Sequence, residues 1–179
     1  MTIDLAGFTI GGPGGTAGLE QTAIAAGAHT SGIAVRNGSI SGFGVGVNLF
    51  EANDSIVEGL RVFGGPGTSS LGIGATGIVK GNTVLGIVSL RGGVGISATG
   101  IVTGNSSSFN QVDGIEIGQG STVIGNTATD NGPLGHGILV ECPSNVTDNT
   151  AVNNRLANLV LGGNGCNNTN NVAPQTVCG

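Results

Sequence analysis

Valines recur along this chain at an interval too long for one helix or one strand. Val57, Val79, Val102, Val123 and Val146 stand 22, 23, 21 and 23 residues apart, and one step of 22 back from Val57 reaches Val35. Three residues after four of these valines comes an asparagine: Asn82, Asn105, Asn126 and Asn149. Two residues beyond that place runs a second apolar series, Ile40, Val62, Val84, Ser107, Ala128 and Ala151, which shrinks toward the C terminus. A third follows glycine in Gly46-Val47, Gly95-Ile96, Gly114-Ile115 and Gly137-Ile138, with Asn158-Leu159 in the last repeat. Two residues further on, Leu49, Ala98, Ile117, Val140 and Leu161 keep the period of two that marks a strand.

A repeat of about 22 residues with three inward series predicts a solenoid. Each coil supplies one strand to each of three parallel sheets, and the coils stack at ~4.8 Å. The chain is therefore expected to be all-β, a single-stranded parallel β-helix of about seven coils forming one domain over residues 1–179. Leu5 is the expected first member of the valine column. Burying each valine is worth about 1.5–3 kcal/mol, and a slip of one residue would turn the whole column outward, so register is strongly specified. The asparagines are expected to take left-handed turn conformations and to join their amides from coil to coil. Arg36, Glu58 and Lys80 each follow an inward valine and should form an outward ladder of alternating charge.

The pattern breaks in three places. Residues 11–32 form an expected insertion, with a turn at Gly11-Gly12-Pro13-Gly14-Gly15 and a short helix capped by Thr16 and running over residues 19–26. Residues 64–70 should bulge from their coil. Residues 162–179 lose the repeat and are expected to cover the last coil. Coil-like sequence starts almost at Met1, which exposes a parallel edge; either a longer N terminus has been trimmed, or copies self-associate through the first coil.

Composition narrows the classes. The 37 glycines have no three-residue period, which excludes collagen. Charged residues make up 8% and hydrophobic ones 38%, the balance of a folded chain. A net charge of -5 with only five basic residues argues against nucleic acid as a partner. No apolar run long enough to span a membrane is present. The N terminus lacks a signal-peptide pattern, so an extracellular or cell-surface location implies a leader already removed. Of Cys142, Cys166 and Cys178, the last two would clip the tail if they paired in an oxidising compartment; free thiols are the alternative.

The Gly-Ile pairs, the Gly-Asn-Thr turns and the opening Ile3-Asp4-Leu5-Ala6-Gly7-Phe8-Thr9-Ile10 resemble the bacterial right-handed parallel β-helix repeat family, whose superfamily has the pectate-lyase-like fold. The resemblance covers nearly the whole chain. It implies right-handed winding, in keeping with the general hand of parallel crossovers. Such scaffolds host lyases, hydrolases, epimerases and adhesins, so a polysaccharide partner is expected while the activity stays open.

Val112-Asp113-Gly114 and Gly135-His136-Gly137 lie one coil apart, which makes Asp113 and His136 expected neighbours and the catalytic candidates. Polygalacturonase-like glycosidases are similar in having Gly-His-Gly one coil after paired aspartates. Here Val112 stands where the first aspartate would be, and no Arg-x-Lys follows. Glu116, Arg91 and Arg155 are candidate ligand contacts, with Asp113 and Glu116 expected on different faces. A lyase would need calcium in an acidic cluster and a base; Glu51, Asp54, Arg61 and Arg91 are the residues for it. No other cofactor is indicated. Sugar binding without catalysis commonly uses aromatic platforms, and with no Trp or Tyr only Phe43, Phe50, Phe63 and Phe109 could serve. The leading expectation is a secreted or surface polysaccharide-binding module. A structural or adhesin-type solenoid comes second, and a polyuronate lyase, hydrolase or epimerase third.

Overall fold

Stacking in register accounts for nearly every strand. The computed structural model describes residues 1–14, 21–65, 70–89 and 92–179. All strand pairs among them are parallel, and no helix occurs among the described residues. In the first sheet Ile3, Val35, Val57, Val79, Val102, Val123, Val146 and Asn168 lie rung on rung. That makes six full turns from Ile3 to Val146 and a shorter seventh step to Asn168. The valines are fully buried, as a β-branched column in a narrow core should be.

The second sheet aligns Ile10, Ile40, Val62, Val84, Ser107, Ala128 and Ala151. The third aligns Ile24, Val47, Ile73, Ile96, Ile115, Ile138, Leu159 and Thr176. Three columns therefore define three faces around one core.

Several expectations need correction. Ile3, not Leu5, begins the valine column, because the first coil is ten residues longer than the next and stepping back by 22 overshoots it. The expected helix is overturned where it is described: Thr22–Ala25 is a strand paired with Val45–Leu49, since Ile24 supplies the third face with its first rung. Residues 15–20, including Thr16, lie outside the described residues. The segment after residue 162 does not lose the repeat. Asn167–Thr169 and Thr176–Cys178 continue the stack as a last partial coil.

The asparagine ladder forms, by a different turn geometry. The left-handed residue is the one before each asparagine: Gly59, Gly81, Gly104 and Gly125 have φ of 61 to 63°, and Asp148 has 55°. Glycine meets that demand without a side-chain clash. The asparagine is thereby free to turn inward and bond. Asn105 Oδ1 accepts from both the backbone N and Nδ2 of Asn82, each at 3.0 Å, while Asn105 Nδ2 donates to Val79 O at 2.9 Å. Asn126, Asn149 and Asn171 repeat the arrangement.

A second ladder, Asn110, Asn131, Asn154 and Asn158, occupies the next corner. It also explains the shrinking second column. Where Ser107 and Ala128 leave space, the amides of Asn110, Asn131 and Asn154 enter it and bond to Ser107 Oγ, Ser107 O and Ala128 O. The third corner uses Ser121 and Ser144, whose hydroxyls accept from the backbone of the preceding coil.

The outward ion ladder also forms. Glu58 takes Arg36 at 3.3 Å and Lys80 at 2.7 Å. The Lys80 hydrogen bond, more than any other influence, holds the Glu58 carboxyl below its ordinary value. The disulfide joins Cys142 to Cys166 and leaves Cys178 exposed and free. The expected Cys166–Cys178 pair is not made, because Cys166 begins a new coil beside Ser144 and faces the preceding turn. Closing a 24-residue separation is worth about 3 kcal/mol by restricting the unfolded chain.

Asn126→Ala would leave the buried N–H groups of Asn105 without acceptors. It should lower unfolding stability by about 3 kcal/mol in urea titration, whereas Lys80→Ala, at an exposed ion pair, should cost less than about 1 kcal/mol. Equal losses would contradict the inward placement of the ladder.

Candidate functional site

The outer surface of the third sheet carries a shallow groove. Along this face Asn48, Gly74, Ser97, Glu116, Leu139 and Val160 lie in line. Phe50 follows the strand Val45–Leu49, and its ring lies over Gly74, where an added Cβ would strike the ring carbons. Thr76 Oγ1 holds this turn by donating to Phe50 O at 3.0 Å. Phe50, Ser97, Thr99, Glu116, Leu139 and Glu141 line a pocket of about 150 Å³ beside the ring. The wall is thus an aromatic face, two hydroxyls and two carboxylates.

Burial pushes the Glu116 carboxyl above its ordinary value, and the charges of Asp113 and then Glu141 push it further. Three acidic groups therefore feel one another here. No Lys, Arg or His lines the pocket.

Asp113 and His136 meet at the corner leading into this sheet, as the 23-residue spacing predicts. Asp113 is buried, and its Oδ1 accepts from the His136 backbone N at 2.7 Å and contacts His136 Nδ1 at 2.9 Å. The second bond places a hydrogen on Nδ1 and leaves Nε2 as the outer nitrogen of the neutral ring. Gly137 beside it has no room for a Cβ, which would collide with the Asn154 amide. The motif here is therefore also a packing requirement of the second ladder.

The other candidates disperse. Arg155 lines a separate corner pocket with Phe109, Asp130 and Pro133. Arg61 lies on the second sheet, in a pocket with Asn37 and Gly59. Arg91 lies outside the described residues. Among the described residues no three His, Cys, Asp or Glu side chains gather closely enough to hold a metal ion, which leaves the calcium-dependent reading without a ligand set there. Glu141 was not singled out from the sequence, although stepping by one coil from Thr76 through Thr99 and Gly118 arrives at it.

A grooved parallel β-solenoid is the class these observations define. A family model described as a right handed beta helix region matches residues 15–156, most of the chain, and the chain belongs to that family. Its winding is accordingly right-handed. No curated protein and no solved structure matches the chain. No helix among the described residues is long and apolar enough to cross a membrane.

Because Glu116 binds its proton more tightly in the fold than in the unfolded chain, its ionisation opposes folding as pH rises through and above its ordinary range. Glu116→Gln should therefore stabilise the protein at neutral pH, and that gain should vanish well below pH 4.5. Carbon-detected NMR titration should find the Glu116 carboxyl titrating above the other glutamates, and moving down in Glu141→Gln.

Proposed function

We propose that this chain is a secreted or surface polysaccharide-binding module whose ligand lies along the solenoid axis over the third sheet. The observation that carries this reading is the Phe50 ring set beside Ser97, Thr99, Glu116 and Glu141 in one groove. An aromatic face packs against the C–H side of a sugar ring, and carboxylates and hydroxyls take its hydroxyl groups. Coils repeat at ~4.8 Å, so the same kinds of contact recur at a step comparable with one monosaccharide along a chain. The acidic lining favours a neutral polymer over a polyuronate, which it would repel. The Cys142–Cys166 disulfide supports an oxidising, extracellular setting.

One observation favours a second reading, hydrolysis of the bound polymer. A carboxyl with raised affinity for its proton is the form a general acid needs, and Glu116 has it. In that reading the Asp113–His136 pair positions the adjoining corner.

Affinity electrophoresis in gels containing neutral glucans, xylans or pectate tests both. Retardation by a neutral polymer is expected, reduced at least tenfold in apparent affinity by Phe50→Ala, with pectate inert. New reducing ends that disappear in Glu116→Gln would establish hydrolysis. No retardation by any polymer would refute the module.

A further inference from the structure

The two ends of the solenoid differ in chemistry. At the C-terminal end the three inward columns finish in Asn168, Ala173, and Thr176 with Cys178, and both last strands are exposed along their length. Polar and small groups there meet water at little cost. At the other end the columns finish in Ile3 and Ile10, with Leu5 beside them, all half-buried against the core. Phe8 and Met1 stand next to them, 77% and 78% exposed.

The backbone at this end is also unpaired on one side. Thr2–Asp4 pairs only with the strand Ala34–Ser41, and so does Thr9–Gly11. Ala34 N donates to Met1 O and Leu5 N donates to Arg36 O, so residues 1, 3 and 5 face inward along the stack. Alternation then points the N–H and C=O of Thr2 and Asp4 to the open side. Likewise, Ser39 N donates to Phe8 O and Gly12 N to Ser41 O, which turns Thr9 and Gly11 outward. A partner for this end must offer both a strand edge and aliphatic side chains.

We propose that a second copy of this chain supplies both, through a head-to-head dimer with a two-fold axis across the solenoid. The coils of two copies facing each other run in opposite senses, so their first strands pair antiparallel, and Ile3, Leu5 and Ile10 of each copy join the cores. Head-to-tail stacking would instead set these aliphatic residues on Asn168 and Thr176, a mismatch of apolar against polar ends. The assembly therefore closes at two copies and does not grow into a filament.

Sedimentation equilibrium across the micromolar range tests this. The wild-type chain of 17.3 kDa is expected to sediment as twice its mass. Thr9→Pro removes an outward N–H that no partner strand within the fold uses, and Phe8→Ser removes exposed apolar surface. Each should shift the chain at least tenfold toward monomer with an unchanged circular dichroism spectrum. Val177→Lys at the opposite end should leave the dimer intact. A wild-type monomer throughout, a dimer indifferent to Thr9→Pro and Phe8→Ser, a dimer lost in Val177→Lys, or open-ended growth with concentration would each overturn the proposal.

Discussion

Stacking one coil on the next fixes the nearest neighbour of a residue as the one a repeat of 21 to 23 residues away along most of the chain. Backbone bonds between parallel strands set the spacing but tolerate a slip; the side chains do not. A valine moved by one place would face water, and its outward neighbour, Glu58 or Lys80 among them, would enter the core. The corner asparagines tighten the constraint. Asn105 or Asn126 uses its oxygen twice and both amide hydrogens, all on groups in adjoining coils. A buried amide with every site engaged is stabilising only in one register, and costly in any other.

The parts of the fold legible in the sequence were those where each coil has nearly the same length. Between Val35 and Val146 the interval stays at 21 to 23, so the valine column, the taper from Ile40 to Ala151 and the Gly-Ile series could be aligned directly. Ile73 escaped because it follows the break at 64–70, although Gly72-Ile73 has the same form as its neighbours. Ile24 escaped for a similar reason: Leu19 to Ala26 has good helix formers, and pairing with Val47 prevails over that local preference. The second ladder left the same signal as the first, since Asn110, Asn131 and Asn154 are 21 and 23 apart. The cysteine pairing left none, because spacing alone does not define connectivity.

The groove was partly visible for the same reason. Asp113 and His136 were placed together by one repeat, and Phe50 stood among four phenylalanine candidates. What joined Phe50 to Glu116 and Glu141 was the count of coils through Gly74 and Ser97, and that count crosses the break at 64–70. The groove therefore emerges from register and from bare glycines, while the dispersed cations Arg61 and Arg155 are kept from it by the faces on which their coils place them.

Distances between spin labels on the outward column after the valines measure the stacking itself. In a Cys178→Ser background, labels at Glu58 and Thr147 are four coils apart, at Asp4 and Thr147 six, and at Asp4 and Thr169 seven. Double electron–electron resonance should give narrow distributions near ~19, ~29 and ~34 Å, rising by one constant step per coil. Broad distributions, or separations that do not scale with the number of coils, would contradict the stacked register.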